Sequence, residues 1–240
     1  MTGNDFKSEL ISAFGKQGIV ADMQLAEKFL KYKELLVEWN EKINLTAITE
    51  DNDIIWKHFV DCAMITEVIK NEKKSLIDVG TGAGFPGIPL KILCSDIKVT
   101  LLDSLEKRVK FLNEIIAALG LEGIRTIHKR AEDGGRDKVM REGFDYATAR
   151  AVAALPVLAE YCLPFVKNDG YFIAMKSGLV QDEIDNSVRA LDLLGGRIED
   201  VKKIEINGLD VERTLVVIRK FRQTPTAYPR KAGQPSKKPL

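Results

Sequence analysis

The sequence predicts an α/β fold: a mostly parallel sheet of seven strands with a helical extension on its N-terminal side. From residue 75 onward, short apolar runs alternate with helical patterns, which is typical of a parallel sheet covered on both faces. Before residue 75, apolar residues recur at helical spacing instead. We therefore divide the chain into a helical extension (1–74), an α/β domain (75–221) and a C-terminal tail (222–240).

The predicted elements follow from these periods in chain order. In the extension, helical faces run through 6–14 and 25–39, and Asp51 or Asp53 can cap a third helix that continues to Ile69. In the α/β domain we expect strands at 75–79, 97–102, 124–128, 144–148 and 170–175, and an antiparallel end pair at 198–206 and 212–220. Helices are expected at 86–94, 105–119, about 132–140, 154–163 and 179–194.

The run 75–90 carries the strongest chemical signal. A short apolar strand containing Asp78 breaks into alternating glycines, and a helical pattern follows. Such a turn brings backbone N–H groups directly against a small ligand. Two cofactors fit. A dinucleotide needs an acid about 20 residues onward, where Asp103 stands, whereas S-adenosylmethionine (SAM) suits the carboxylate of Asp78, because its ammonium and sulfonium are cationic. SAM is favoured, with the cradle glycines Gly80, Gly82 and Gly84.

Further candidates stand just after the predicted strands, because ligands of such sheets lie at the carboxyl ends of the strands. Asp103 can accept hydrogen bonds from both ribose hydroxyls of an adenosine; its alternative role is a helix cap. Ala131 leaves room for an adenine ring, whose edge Glu132 can meet. Arg150 has no acid beside it in sequence and can hold a carboxylate or phosphate.

No catalytic base, nucleophile or metal site is predicted. The three cysteines lie far apart and none follows a strand, as expected of buried thiols in a reducing compartment. His128 falls inside a strand and His58 on a helix, where we expect a structural hydrogen bond with Asp61 or the backbone. An acceptor with a free lone pair, such as guanine N7, needs only positioning and desolvation.

Composition indicates a cytoplasmic protein. The polar N-terminus lacks a signal-peptide core, and the longest apolar stretch is too short to span a bilayer. The tail holds five basic residues, no acid and four prolines. We expect it to lie extended and contact RNA phosphates, and its deletion to spare cofactor affinity and stability; the alternative is that part of it folds back and buries Tyr228. The candidates for RNA contact are Arg222, Tyr228, Arg230, Lys231, Lys237 and Lys238.

Several motifs together resemble the RsmG (GidB) family of bacterial SAM-dependent methyltransferases of small-subunit ribosomal RNA. They are Trp-Asn-Glu-Lys-Ile-Asn-Leu-Thr-Ala-Ile at 39–48, His-Phe-Val-Asp at 58–61, the run 78–90, and Ala-Arg-Ala-Val-Ala at 149–153. Arg-Ala-Glu at 130–132 and the tail from Tyr228 also match. Cys62 stands where the family usually has serine.

The resemblance implies a Rossmann-like class I SAM-dependent methyltransferase fold and methyl transfer to N7 of a guanine in the decoding-region loop of 16S rRNA. It implies SAM contacts at Gly80, Phe85, Ala131, Glu132 and Arg150. The partner is then 16S rRNA or the small ribosomal subunit, and we expect a monomer without membrane or metal. The alternatives are an NAD(P)-dependent oxidoreductase and a non-catalytic RNA-binding protein.

Overall fold

The computed structural model describes residues 1–150, 153–178, 180–206 and 212–240. Within these residues, seven strands form one sheet in the order β3-β2-β1-β4-β5-β7-β6. Strands β1 to β5 are parallel to one another, whereas β7 pairs antiparallel with both β5 and β6. The strands are β1 (Ser75–Val79), β2 (Lys98–Asp103), β3 (Ile124–His128), β4 (Phe144–Arg150), β5 (Val166–Ser177), β6 (Gly196–Ile204) and β7 (Arg213–Lys220).

Helices cover the sheet and build the extension. The extension contains α1 (Gly3–Lys16), α2 (Met23–Ile43), α3 (Asp51–Ile54) and α4 (Asp61–Ala63). The helices between and after the strands are α5 (Gly87–Leu93), α6 (Glu106–Ala118), α7 (Ala131–Arg136), α8 (Leu155–Cys162), α9 (Gln181–Leu194) and α10 (Gln234–Lys237). No helix in the described ranges is long and apolar enough to cross a membrane.

The extension shares its core with the sheet. One cluster of buried side chains runs from Phe6 of α1 through Phe59 to Phe111 of α6 and Leu215 of β7. Tyr32 of α2 is fully buried and donates a 2.5 Å hydrogen bond to the carbonyl oxygen of Ala83. The extension is therefore fixed directly to the glycine-rich turn after β1.

The predicted third helix is interrupted. The chain is α-helical only at α3, then forms a π-helix over Ile55–Val60, returns to α at α4, and ends in a 3₁₀ helix over Met64–Glu67. A π segment carries one extra residue per hydrogen-bonded turn, and such segments are frequent at functional sites. This segment brings Lys57, His58 and the following Asp61 towards the carboxyl edge of the sheet.

The Rossmann-like, mostly parallel sheet predicted from the sequence is confirmed, including the antiparallel end pair. Strands β1 and β3 have the predicted bounds, but β5 begins four residues early, at Val166. The helix predicted at about 132–140 ends at Arg136, because Asp137 turns the chain and its side chain accepts from the amide of Val139. Hydrogen bonds of this kind compete with helix continuation.

Lys220, the last residue of β7, is a fully buried cation. Its Nζ donates to the carbonyl oxygens of Leu163 (2.8 Å) and Val166 (3.2 Å), and lies 3.3 Å from Glu142 Oε1. Burial lowers the pKa of this ammonium to about 8. The same Glu142 oxygen accepts from the amide of Thr224, so this group also fixes the start of the tail.

We predict that Lys220 makes the protein more stable as pH rises from 8 to 10. The folded pKa lies below that of the unfolded lysine, so the unfolded chain binds more protons in this window, and the free energy of unfolding rises with pH. Lys220→Met removes this contribution. Urea unfolding at several pH values measures it, with Lys107→Met, an exposed lysine of α6, as the control. Identical pH slopes in all three proteins would contradict the prediction.

Candidate active site

The glycine-rich turn after β1 forms the floor of the site. Gly80, Gly82 and Gly84 all have positive φ angles, of 71°, 61° and 98°. A side chain at Gly84 would place its Cβ 2.8 Å from the Tyr32 hydroxyl, so this glycine allows the extension to pack against the turn. The amide of Gly82 donates to Asp103 Oδ2 (2.9 Å), which joins the turn to the end of β2.

Asp78 lies underneath this turn and is fully buried. Its Oδ2 accepts from the Thr81 hydroxyl (2.6 Å) and from the amide of Gly87 (2.9 Å), and so holds both ends of the turn. Burial raises the pKa of this carboxyl to about 6. Its Oδ1 is buried without a hydrogen-bond partner among the described residues. Asp78 is not one of the residues that line the cavity above the turn.

That cavity has a volume of about 430 Å³ and opens at the carboxyl ends of β1, β2 and β3. Two carboxylates reach it: Asp103, 2% exposed, and Glu132, 5% exposed. Asp103 Oδ1 accepts from the amide of Leu105 (2.9 Å), so this side chain both organises the start of α6 and faces the cavity. The lining residues are Val79, Gly80, Leu102, Asp103, Ser104, Arg108, Lys129, Arg130, Ala131, Glu132, Arg150, Tyr161, Gly233 and Ser236.

Beside the turn, Phe85 forms a stack with two groups from distant parts of the chain. The ring of His58 lies parallel to it with centroids 4.5 Å apart, and the Arg150 guanidinium carbon lies 4.9 Å from its centroid. Phe85 also contacts the ring of Tyr32, at 5.5 Å. Hence the extension, the glycine-rich turn and β4 meet at one aromatic side chain.

Arg150, which ends β4, is held by an acid that the sequence does not place near it. Asp61 Oδ2 accepts from Arg150 Nη1 (2.9 Å), while its Oδ1 accepts from Nε of Arg213 (2.6 Å). Asp61 is 4% exposed. One carboxylate therefore joins the extension to both β4 and β7, and a buried acid with two cations retains hydrogen-bond partners on both oxygens.

His58 is neutral in this setting. Burial and the adjacent Arg150 cation lower its pKa to about 3. Its Nδ1 lies 3.2 Å from Arg150 Nη2 and 3.1 Å from the Lys57 carbonyl oxygen, and its Nε2 lies 2.8 Å from Thr46 Oγ1. The expected hydrogen bond is therefore to the backbone, and none of these contacts is to Asp61. His128 is exposed and contacts the Ser104 carbonyl oxygen.

A second cavity, of about 390 Å³, lies on the other side of Arg150. Its walls come from the extension, the end of β5, the start of α9 and β7. The lining residues are Ile48, Lys57, His58, Asp61, Arg150, Met175, Lys176, Ser177, Glu183 and Arg213. Arg150 is the one described residue that lines both cavities, and its side chain stands between them.

The expectation that the tail lies extended with free cations is wrong. The chain folds back on α8, and the Arg230 guanidinium forms a double hydrogen bond with the 1%-exposed carboxylate of Glu160. Arg222 pairs with Asp192, and Tyr228 is half-buried against the core. The prolines did not prevent this, because arginine side chains satisfy the tail carbonyls: Arg141 donates to those of Thr224 and Tyr228.

The tail also reaches the first cavity. The amide of Gly233 donates to Glu132 Oε1 (2.8 Å), and Ser236 lines the same space. Among the predicted RNA-contact residues, Lys231, Lys237 and Lys238 remain exposed. RNA contact at these three lysines stays a prediction, whereas Arg222 and Arg230 are paired with acids.

Comparison with known proteins assigns this geometry to a family. The family model described as rRNA small subunit methyltransferase G (GidB) matches residues 25–216, which include the turn, the second cavity, the Asp61 network and every residue of the first cavity except Gly233 and Ser236. The chain belongs to that family. Of the elements described above, α1 and the tail lie outside the matched range.

Curated members of the family match over nearly the whole chain. Ribosomal RNA small subunit methyltransferase G of Acetivibrio thermocellus is 56% identical over 231 residues, covering 96% of this chain and 95% of that protein. The protein of the same name from Alkaliphilus metalliredigens is 51% identical over 237 residues and covers 98% and 99%. These matches extend into the tail.

Solved structures share the fold at low identity. Precorrin-6y C5,15-methyltransferase from Geobacter metallireducens superposes with a TM-score of 0.52 at 13% identity, covering 74% of this chain and 93% of that chain. TYW2 from M. jannaschii, crystallised in complex with AdoMet, has a TM-score of 0.57 at 14% identity, covering 75% and 80%. Both support the Rossmann-like assignment of the sheet.

The predicted site residues fall into three groups in this family member. Gly80, Asp103, Ala131, Glu132 and Arg150 line the first cavity. Gly82, Gly84 and Asp78 shape the turn beneath it, and Phe85 packs beside it. Sequence reasoning missed Arg213, Glu183, Gly233 and Ser236 as site residues. The first two come from elements with no recognisable motif, whereas Gly233 and Ser236 lie in the tail, which was expected to extend away from the domain. Of the acids around Arg150, Asp61 alone could be identified from the sequence, because it belongs to the His-Phe-Val-Asp motif.

We predict that Arg230→Ala lowers the free energy of unfolding by about 2 kcal/mol, because removing one partner leaves the Glu160 carboxylate buried and unpaired. The loss stays below that of a fully broken pair, since the amide of residue 230 still donates to Glu160 Oε1. Denaturant unfolding measures the effect. Lys231→Ala, which removes the same charge from an exposed neighbour, is the control, and equal stability of the two variants would refute the assignment.

Proposed function

We propose that this protein transfers a methyl group from SAM to N7 of a guanine in small-subunit ribosomal RNA, acting in the cytoplasm on the decoding-region loop. Family membership supports SAM as the methyl donor and 16S rRNA as the substrate. One structural observation supports this function: two cavities at the carboxyl edge of the sheet have Arg150 as a shared wall. A donor and an acceptor can then approach each other from opposite sides.

The residues of the first cavity fit SAM. Its volume is in the range of small-molecule sites. Asp103 can accept from the ribose hydroxyls, Ala131 leaves space for the adenine ring, and Glu132 lies at the ring edge. The positive φ angles of the turn glycines allow close approach of the methionine portion of SAM to the backbone of the turn. When bound, SAM supplies an electrophilic methyl group on a sulfonium.

The carboxylate under the turn does not separate SAM from the NAD(P) alternative. The buried Asp78 accepts from the turn itself and does not line the cavity, so it no longer discriminates between the two cofactors. Membership in a methyltransferase family decides the question instead. The non-catalytic alternative has no support, since the cradle, the ribose-side acid and the adenine-side residues converge on one cavity.

The protein's task in the reaction is positioning. Guanine N7 carries a lone pair, so methyl transfer to it is an in-line displacement that needs no proton abstraction. Because its pKa is near 3, the His58 ring is uncharged at physiological pH, and it packs against Phe85 in that form. Arg150, held by Asp61, fixes the boundary between donor and acceptor and excludes water from it.

We predict that the protein transfers labelled methyl from SAM to small-subunit rRNA and that the label maps to N7 of one guanine. The acceptor RNA carrying 7-deazaguanine at that nucleotide is the matched control, since it lacks only the reacting nitrogen. The single-turnover rate should vary little between about pH 6 and 9, a window that covers ordinary His-type bases, because no base participates. Methylation of the 7-deaza RNA, or a unit-slope rise in log rate through this window, would overturn N7 as the acceptor.

We further predict that Asp103→Ala weakens SAM binding by about 1–3 kcal/mol, the usual cost of losing a charged hydrogen bond. The change also frees the amides of Gly82 and Leu105, while the amides of Gly80 and Thr81 still donate to the Leu102 carbonyl oxygen of β2. Calorimetric titration with SAM measures the effect. Asp133→Ala, an exposed acid of α7, serves as the control; parental affinity in Asp103→Ala would mean that the cofactor lies elsewhere.

A further inference from the structure

The second cavity lies outside the proposed site of the methyl donor. We infer that it receives the acceptor guanine, turned out of the RNA, and that Glu183 recognises the Watson–Crick edge of this base. The inference rests on the proposed function, because it names where the acceptor lies and what selects it. Its basis is the composition of the cavity walls and the position of the cavity beyond Arg150.

The position fits an acceptor. Because Arg150 lines both cavities, a flat group in the second one can present an edge to the first beside that side chain. For transfer to N7, this edge is the one that carries N7 and O6. The opposite part of the base, with N1 and the exocyclic N2, then points away from the donor, toward the far walls of the cavity.

The walls match a purine in chemistry. Ile48 and Met175 supply apolar surface for the ring faces. Arg213 uses Nε to bind Asp61, which leaves its terminal nitrogens to donate to a carbonyl oxygen such as O6. Enzymes that act on extruded bases recognise them by such hydrogen bonds together with apolar contact.

Glu183 supplies the acceptor for the remaining edge. It follows the first two residues of α9, and its Oε2 accepts from Lys176 Nζ (2.7 Å) and from the amide of Leu155 (2.9 Å). These contacts fix the carboxylate and both use the same oxygen, so Oε1 remains for a ligand. Guanine offers two donors there, N1–H and N2–H₂, whereas adenine presents an unprotonated N1 that a carboxylate repels. The site is therefore selective for guanine.

The first experiment needs no variant. Wild-type protein is given small-subunit RNA carrying either guanine or inosine at the methylated nucleotide, and labelled methyl transfer is measured for each. Inosine keeps N7 and O6 but lacks the N2 amino group. We expect kcat/KM to fall about 10- to 100-fold with inosine, the usual effect of losing a hydrogen bond to a charged group. Equal rates with the two RNAs would overturn the inference.

The second experiment assigns the discrimination to Glu183. In Glu183→Ala, the preference for guanine over inosine should fall to near unity while SAM affinity is unchanged, since Glu183 does not line the first cavity. Asp182→Ala removes the same charge from the preceding exposed residue and should keep the wild-type preference. A guanine preference that persists in Glu183→Ala would overturn the role of this residue.

The outcomes separate this inference from the proposed function. If wild-type protein transfers no methyl to the guanine RNA, or modifies an atom other than N7, the proposed function fails. If guanine N7 is methylated normally but inosine serves equally well, the function stands and the second cavity does not read the base. The ratio of two acceptors in one protein is insensitive to partial unfolding, so a loss of stability in Glu183→Ala cannot imitate the expected result.

Discussion

The carboxylate of Asp61 is the interaction on which the site depends. It is almost fully buried, and each of its oxygens accepts from a different arginine, Arg150 at the end of β4 and Arg213 at the start of β7. In sequence these three residues span 61–213, so no local preference brings them together. Loss of Asp61 would leave two guanidinium groups without their shared carboxylate in a poorly solvated region. This network is therefore a condition for the geometry around it.

The aromatic contacts beside the network give it a rigid support. Phe85 packs against His58, Tyr32 and the Arg150 guanidinium, and the rings of Phe59 and Tyr32 continue the cluster into the extension. Below them, the buried Asp78 carboxylate and the Tyr32 hydroxyl hold the glycine-rich turn from two directions. These contacts hold the unusual backbone angles of the turn, which lowers the entropy cost of binding a ligand there.

The sheet and the cofactor side of the site were accessible from sequence because their signals are local. Each signal is made by residues that lie within a few positions of one another. The signals are the alternating strand and helix periods, the glycines after β1, and the acids at or after the ends of β2 and β3. The remaining parts depend on long-range partners. The composition of the tail shows that it is basic and rich in proline. It does not show that Glu160 of α8, some 70 residues earlier, is the buried partner of Arg230. The π-helix could not be predicted either. The periodicity within 51–69 supports an ordinary α-helix and does not show the extra residue in the π-helical turn.

The path of the tail has a consequence for the order in which the site forms. Gly233 and Ser236, which contribute to the first cavity, follow all seven described strands in the chain. During synthesis from the N-terminus, the complete sheet and the glycine-rich turn emerge before this wall does. The sheet can therefore form while the first cavity still lacks the wall that the tail supplies through its contacts with Glu132 and Glu160. The first cavity is therefore completed only after all the residues of the sheet have been synthesised.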